Sequence, residues 1–100
     1  MNDTTTLAQV YERDHAEQRA ALSARLLRST AGLFDIFTIY IGNALGLYQA
    51  LGTGRYMTSA ELADKTDTHE RYTREWLEQQ TVAGIVEVDD ETQQALDRRF

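Results

Sequence analysis

The residues that could perform chemistry are few, and their spacing does not bring them together. The sequence has two histidines, His15 and His69, and no cysteine, which excludes thiolate nucleophiles and cysteine-ligated metal sites. The two histidines are too far apart to indicate a metal site by their spacing. Ser23, Ser29 and Ser59 lie in no nucleophile-elbow sequence. We therefore expect no catalytic, cofactor-binding or metal-ligating residue in this sequence.

Two other polar groups are better explained as local structure. His69 stands at the start of a predicted helix, where the helix dipole disfavours its charged form, so a surface or capping role is favoured over a ligand role. Asp89, Asp90 and Glu91 are adjacent acids without the spacing or the glycine of a calcium loop. A polar hairpin turn is the simpler interpretation of this segment.

Length and charge indicate one small acidic domain. The chain has 100 residues and a net charge of −6. A domain of this size buries only about 60–65% of its unfolded surface, so it is marginally stable alone. The acidic balance disfavours polyanionic partners. The segment Met1–Thr4 shows no basic region leading into an apolar run, so no signal peptide is indicated and we expect a cytoplasmic protein.

Apolar spacing predicts a long first helix from Thr4 to Ser29. Its apolar residues recur at i, i+3, i+4 spacing near both ends: Leu7, Val10, Tyr11, Leu22, Leu26 and Leu27. The stretch between these ends, Glu12–Arg19, is almost wholly polar. Because such a helix cannot form a core alone, we expect it to lie across another element, with a second copy of the chain as the natural candidate.

The second predicted helix, Leu33–Leu51, is far more apolar. Thirteen of its 19 residues are apolar or aromatic and lie on every face, which is typical of a helix buried all round. A membrane span is the alternative interpretation. It is opposed by Asp35, Asn43 and Gln49 and by the lack of flanking basic clusters, so we expect no membrane association.

Glycines and capping residues divide the rest of the chain into short elements. Gly52-Thr53-Gly54 is predicted to end the second helix in a left-handed conformation. Thr58-Ser59-Ala60-Glu61 has the pattern of a capping box and opens a short helix. After a tight turn, Asp67 or Thr68 is predicted to cap a third helix, His69–Ala83.

The order of these elements predicts a winged helix-turn-helix. Gly84 ends the third helix, Ile85–Val88 is rich in β-branched residues as strands are, and Ala95–Phe100 is the candidate for a second strand. We therefore predict a mainly α fold, with a long dimerisation helix at 1–30 and a winged helix-turn-helix at 31–100 that has a short, incomplete β-hairpin wing. The predicted core residues are Leu62, Tyr72, Trp76 and Leu77.

The charge of the predicted domain opposes the DNA binding that this fold allows. Residues 59–83 carry six acids against three bases, and residues 84–100 carry five acids against two, so each segment has a net charge of −3. These elements would have to contact phosphate, which requires basic or amide donors. Arg71 and Arg74 could reach base edges, but it is favoured that they are solvated or paired with neighbouring glutamates on the helix surface. We expect no nucleic-acid partner.

Several segments, taken in order, are similar to one protein family. They are Gly46-Leu47-Tyr48-Gln49-Ala50-Leu51, Thr58-Ser59-Ala60-Glu61-Leu62-Ala63, His69-Glu70-Arg71-Tyr72-Thr73-Arg74-Glu75-Trp76-Leu77 and Ala83-Gly84-Ile85-Val86-Glu87. As a set they cover roughly residues 31–100, and each segment alone is weak. The set resembles the N-terminal winged-helix domain of bacterial class I S-adenosylmethionine-dependent methyltransferases, and the long first helix also suits that family.

The resemblance implies a dimerisation domain of a small-molecule O-methyltransferase. In that family the winged helix pairs subunits into a homodimer and helps to cover the substrate pocket, while S-adenosylmethionine binds a following Rossmann-like domain. This sequence lacks that domain, because Gly52-Thr53-Gly54 is followed by no strand–turn–helix unit. No cofactor-binding residue of the family can be placed on it. The 100 residues are thus expected to be a non-catalytic N-terminal fragment.

The aromatic residues of the second helix allow two interpretations. Core packing is the simpler explanation for this group, which comprises Phe34, Phe37, Tyr40, Ile41 and Tyr48. In the functional interpretation, Phe37, Tyr40 and Ile41 line the apolar lid of a substrate cavity, where aromatic walls with one hydroxyl suit a planar or lipid-like substrate.

A two-fold pairing through both long helices would bury their apolar surface. The residues predicted at this interface are Leu7, Val10, Tyr11, Leu22, Leu26, Phe34, Gly42 and Gly46. Gly42 and Gly46, four residues apart, would permit close approach of another backbone, with helix fraying as the alternative. Two other functions stay open, a dimeric winged-helix transcriptional regulator and a free-standing interaction module.

Overall fold

Residues 6–100 are described by the computed structural model, and they are mostly helical. The helices are α1 (Leu7–Ala44), α2 (Leu47–Leu51), α3 (Ser59–Thr66) and α4 (Glu70–Val82). The chain divides into two compact units, Met1–Leu33 and Phe34–Phe100. The predicted mainly α class with a long N-terminal helix is confirmed. None of the helices within residues 6–100 combines the length and the apolar character that crossing a membrane requires.

Helix α1 joins the two long helices that the sequence predicted separately. The predicted start at Thr4 lies outside the described residues, and α1 opens with a reciprocal cap in which the Gln9 amide donates to Thr6 Oγ1 (3.2 Å) and the Thr6 amide donates to Gln9 Oε1 (2.8 Å). The expected break after Ser29 is absent. No proline interrupts the helix there, and the Thr30 hydroxyl donates to the Leu26 carbonyl (2.9 Å) within the helix.

The predicted second helix is interrupted at Gly46, so its extension to Leu51 as one piece is wrong. Gly46 has φ 74°, a left-handed conformation that glycine adopts at little cost. The Gly46 amide donates to the Asn43 carbonyl (3.2 Å), and the chain then turns into α2. After α2, Gly52 has φ −71° and the left-handed residue is Gly54, at φ 83°. Gly46 therefore forms a turn. This is its role within the chain, rather than the predicted close approach of another backbone.

The capping box that opens α3 is confirmed. Thr58 Oγ1 accepts from the Glu61 amide (3.2 Å), and Glu61 Oε1 accepts from the Thr58 amide (3.3 Å). At the other end, Asp67 adopts a left-handed conformation with φ 54°, and its amide donates to the Ala63 and Asp64 carbonyls. This C-terminal cap of α3 reverses the chain toward α4.

The N-cap of α4 is His69, so the expectation that Asp67 or Thr68 would cap this helix is wrong. His69 Nδ1 accepts from the Arg71 amide (3.2 Å), which confirms the capping role considered for this histidine. Asp67 is already committed to ending α3. Gly84, with φ 76°, follows the C-terminus of α4 as predicted.

The predicted strand Ile85–Val88 does not form a regular β-strand. The Ile85 and Val86 amides donate to the Gln80 carbonyl (2.9 and 3.2 Å), so they cap the end of α4 and cannot join a sheet. Pairing begins only at Asp89, whose amide donates to the Arg99 carbonyl (2.8 Å).

The chain end at Phe100 does return to the domain. Met57 and Phe100 exchange both backbone hydrogen bonds (2.9 and 2.7 Å), and Thr58 and Arg99 form an antiparallel bridge. The Arg99–Phe100 segment therefore pairs with Met57–Thr58 through an isolated antiparallel bridge and accepts one hydrogen bond from Asp89, so the wing has no regular strand. Because so few backbone hydrogen bonds hold the wing, its position depends on the buried Phe100 side chain.

The core of the second unit lies between α2, α3, α4 and the chain end. Its buried cluster comprises Leu47, Ala50, Met57, Leu62, Trp76, Leu77 and Phe100. The prediction of Tyr72 as a core residue is wrong, because its exposed fraction is 72%. The buried positions of α4 are Thr73, Trp76, Leu77 and Gln80. Tyr72 lies at the edge of that helical face, where its side chain is mostly exposed.

Gly42 is buried beneath the Trp76 indole of its own chain. A Cβ added at Gly42 would overlap the indole ring and would lie 2.7 Å from the Tyr48 ring. The predicted close approach at Gly42 is therefore intramolecular, and this residue is not available to another subunit. Only a residue without a side chain allows α1 to contact α4 at this distance.

We predict that Gly42→Ala lowers the free energy of unfolding by about 1–3 kcal/mol, because the indole must shift to admit the methyl group. Gly32→Ala is the matched control, since Gly32 is in the same helix and nothing lies within 4 Å of its added Cβ. That control is expected to be neutral or to stabilise by about 0.5–1 kcal/mol. Urea unfolding of both variants tests the contact, and equal stabilities would refute it.

Candidate functional site

The second half of α1 is largely uncovered within this chain. The buried residues of α1 are Thr38 and Gly42. An exposed apolar strip, with exposed fractions of 41–70%, consists of Phe34, Ile36, Phe37, Ile39, Tyr40 and Ile41. The prediction of a helix buried on all faces is thus wrong for the chain by itself. Apolar surface on this scale is uncommon on a folded monomer.

A buried hydrogen-bond network holds this part of α1 against α4. Trp76 Nε1 donates to the Thr38 carbonyl (2.8 Å), and Gln80 Nε2 donates to Thr38 Oγ1 (3.0 Å). The Tyr48 hydroxyl donates to Gln80 Oε1. The Gln80 side chain, which is fully buried, therefore has partners for both ends of its amide.

Two further features surround this network. Gln79 Nε2 donates to Asp35 Oδ1 (3.0 Å), which adds a polar contact between the same two helices. The Tyr48 ring packs edge-on against the Trp76 indole with centroids 5.1 Å apart. Burial raises the pKa of the Tyr48 hydroxyl, because the phenolate would lose its hydration. Tyr48 thus remains a hydrogen-bond donor to Gln80.

The predicted substrate-lining residues do not form one site. Ile41 lies at the edge of a cavity of about 300 Å³ together with Trp76. Phe37 and Tyr40 are 60% and 70% exposed on the apolar strip, and neither lines that cavity. Their periodicity in the sequence indicated a common helix side but not which neighbours α1 would have.

The predicted interface residues also differ in their surroundings. In the first unit, Leu7, Tyr11, Leu22 and Leu26 are exposed apolar side chains, and Val10 is half-buried. In the second unit, Phe34 is 58% exposed, whereas Gly42 is buried and Gly46 forms the turn before α2. Their exposure leaves the large apolar members of this set open to a partner, and the two glycines have roles within the chain.

The face that would contact DNA carries carboxylates that bind its own arginines. Arg98 pairs with Glu78 (2.7 Å), and Arg99 pairs with Asp89 (2.5 Å). Along α4, Arg74 Nε lies 3.5 Å from Glu70 Oε2, a weak contact without hydrogen-bond geometry. These pairings occupy cations that phosphate binding would need. Arg74, Arg98 and Arg99 therefore lie beside carboxylates, whereas within residues 6–100 Arg71 has no ion pair.

The acidic turn Asp89–Glu91 is stabilised by its own backbone and side chains. Asp90 Oδ1 accepts from the Thr92 hydroxyl (2.6 Å) and the Thr92 amide (3.0 Å). These hydrogen bonds lower the pKa of the Asp90 carboxyl because they stabilise its charged form. Within residues 6–100 no three His, Cys, Asp or Glu side chains are grouped as metal ligands would be. The polar turn accounts for these acids.

An open cleft of about 410 Å³ lies beside the wing. It is bordered by α2 and the loop that follows it on one side and by Ile85–Glu87 on the other. The Tyr48, Val86 and Phe100 side chains are among its apolar lining, and Arg55 and Glu87 contribute the charged groups. Its mouth is broad, so a bound molecule would stay in contact with water.

Sequence reasoning missed the polar residues that organise the contact between α1 and α4. Gln80 was placed on the same helix side as Trp76, but its buried role was not identified, and Thr38 was not considered. A polar residue within an apolar helical stripe was the available signal for Gln80. No such signal existed for Thr38, because its partners lie 38 and 42 residues away in the chain.

The helix order, the capping of α3 and α4 and the short wing define a winged helix-turn-helix protein. The model of the Rv2258c-like winged HTH domain family matches residues 34–96, and the chain belongs to this family. A comparison with curated proteins finds no match. The family match begins at the first residue of the second compact unit and so contains the network described above.

We predict that Gln80→Leu lowers the free energy of unfolding by about 2 kcal/mol, because it leaves the Tyr48 hydroxyl without its acceptor and removes the amide donor to Thr38 Oγ1. Tyr48→Phe should lower it by about 1 kcal/mol. In the double variant the two losses should fall short of their sum by about 1 kcal/mol, since both remove one hydrogen bond.

Denaturant unfolding of the two single variants and the double variant measures this coupling. Gln94→Leu is the control for the change of residue type, because the Gln94 side chain is exposed and its replacement should leave stability unchanged. Additive losses for Tyr48→Phe and Gln80→Leu would contradict the network.

Proposed function

We propose that this chain is the dimerisation and substrate-covering domain of a methyltransferase that uses S-adenosylmethionine and a small-molecule acceptor. The observation that carries the proposal is the exposed apolar strip of α1 in a winged helix-turn-helix whose DNA-facing side is acidic. A DNA-binding winged helix needs the opposite distribution, with a basic face on α4 and the wing. The domain therefore acts through its apolar helix face rather than through α4.

The apolar strip supports self-association. The Phe34 and Phe37 side chains are 58% and 60% exposed and lie three residues apart, so they share one side of α1. Exposed aromatic side chains in such a row are usually covered by a partner. A second copy of the same helix offers a matching apolar surface under two-fold symmetry. The partner we propose is a second copy of this chain.

Covering of a substrate is supported by the chemistry of the same helix. Phe37, Tyr40 and Ile41 offer aromatic and aliphatic surface with one hydroxyl, which suits a planar or lipid-like acceptor. The described residues do not fit the cofactor itself, because Gly52-Thr53-Gly54 ends α2 and leads to α3 rather than joining a strand to a helix. S-adenosylmethionine would be held by a catalytic domain outside these residues.

The self-association has a direct test. Phe37→Asp is expected to convert a dimer into a monomer, raising the dissociation constant about a hundredfold, because an unpaired carboxylate would be buried in an apolar interface. Val82→Asp is the matched control, since Val82 is 89% exposed at the end of α4 and is not part of the strip. Size-exclusion chromatography with light scattering measures both. A monomeric parent chain at micromolar concentration would overturn the proposed dimer.

The competing function is that of a transcriptional regulator. The charge of α4 and the wing distinguishes this function from that of a dimerisation domain. We predict no binding of a labelled DNA duplex in fluorescence anisotropy even at low salt, because the net charges of residues 59–83 and 84–100 are each −3. Binding that weakens as salt rises and that is lost in Arg71→Ala would favour the regulator instead.

The methyltransferase assignment is tested by the reading frame beyond the Phe100 codon. We expect it to continue into a strand, a glycine-rich loop and a helix, the elements of a nucleotide-binding sheet. A stop codon directly after Phe100 would refute the assignment and leave a free-standing interaction module.

A further inference from the structure

A second cavity, enclosed by the end of α1 and the turn between α3 and α4, has the composition of a ligand site. Its volume of about 300 Å³ is at the lower end of the range for small-molecule pockets. Its aliphatic wall consists of Ile41, Leu45 and Leu47, and the Trp76 indole contributes aromatic surface. Leu47 and Trp76 are core residues, so this part of the wall is rigid.

The remaining lining residues are polar, and the His69 ring among them is neutral while its Nδ1 accepts from the Arg71 amide. They are Thr68, His69, Tyr72 and Thr73. No aspartate, glutamate, lysine or arginine is among the residues that line the cavity. A charged molecule would therefore lose its hydration there without gaining a partner of opposite charge. The cavity thus favours an uncharged ligand.

The threonine hydroxyls form a chain whose direction can be deduced. Thr66 Oγ1 donates to the Leu62 carbonyl (2.8 Å), so its only proton is used. In the Thr66–Thr68 pair (2.9 Å) the donor must then be Thr68, and in the Thr68–Thr73 pair (2.6 Å) it must be Thr73. Thr73 Oγ1 consequently has no proton left, so any further hydrogen bond at this atom is one that it accepts.

His69 can donate a hydrogen bond, whereas Thr73 Oγ1 can accept one. Its Nδ1 accepts from the Arg71 amide, so the neutral ring carries its proton on Nε2 and can donate there. The imidazole also packs against the Tyr72 ring, with centroids 5.0 Å apart. One donor and one acceptor are therefore available among aromatic and aliphatic walls.

From these observations we propose that the cavity binds an uncharged molecule with a single aromatic ring and one amide-like polar group. The ring packs against Trp76 and Tyr72, and the polar group offers an acceptor to His69 and a donor to Thr73. This site goes beyond the proposed function. Every lining residue lies within residues 41–76, and Ile41 also belongs to the apolar strip, so a dimer that covered Ile41 would compete with the ligand.

The single tryptophan of the sequence, Trp76, provides the readout. Benzamide is the probe, because it combines an uncharged ring with one amide carbonyl and one amide donor, and benzoate is its charged counterpart of nearly the same shape. Titration of the full chain with benzamide is expected to change the Trp76 fluorescence saturably. Benzoate should bind about tenfold more weakly, since its carboxylate finds no cation in the cavity.

Substitutions of the lining residues test whether benzamide binds in this cavity. Tyr72→Ala removes an aromatic wall at a side chain that is 72% exposed, so the fold should be kept while benzamide binds about tenfold more weakly. His69→Asn keeps an N-capping side chain for α4 but loses the ring, and it should also weaken binding. Tyr56→Ala is the matched control, because Tyr56 is 48% exposed and lines the other cleft.

The outcomes separate the proposal from its alternatives. Saturable binding of benzamide that is weakened in Tyr72→Ala and His69→Asn but not in Tyr56→Ala supports the site. The absence of a saturable change in Trp76 fluorescence overturns the proposal. A second copy of the chain that filled the cavity would give this result. Equal affinities for benzamide and benzoate, or equal effects of Tyr72→Ala and Tyr56→Ala, also overturn it.

Discussion

The contact between Gly42 and Trp76 is the constraint on which the second compact unit depends. With hydrogen as its side chain, Gly42 lets the indole lie directly on α1, where Trp76 Nε1 reaches the Thr38 carbonyl at 2.8 Å. Gln80, one turn further along α4, then meets Thr38 Oγ1 and the Tyr48 hydroxyl. A bulkier residue at position 42 would separate the helices and leave these buried polar groups without partners, which is costly inside a protein.

This contact also decides which side of α1 stays open. Because Thr38 and Gly42 face α4, the aromatic residues Phe37 and Tyr40, which lie on other sides of α1, stay exposed. The helix-turn-helix elements meanwhile carry an acidic surface, with Arg98 and Arg99 paired to Glu78 and Asp89. A fold that elsewhere reads nucleic acid thus has its available apolar surface on the helix that precedes it, which supports a role in association.

Much of the fold was predictable because its signals are local. The Thr58–Glu61 capping box and the helix-ending Gly84 involve residues within a few positions of one another, and both occur as predicted. The predictions of a break after Ser29 and of a strand at Ile85–Val88 were wrong for a different reason. Helix propagation continued where no strong stop signal stood, and the amides of the expected strand were used to cap α4.

The sequence by itself determined the helices α3 and α4, the capping box of α3, the glycine that follows α4, and the acidic character of α4 and the wing. Each of these depends on residue type and short spacing. Only the tertiary structure decided that Tyr72 is exposed, that Gly42 receives the Trp76 ring and that Phe100 closes the core. These outcomes depend on which helix face meets which neighbour. Helical periodicity identifies the residues that share a face, but the partner of that face is chosen by packing between segments distant in the chain.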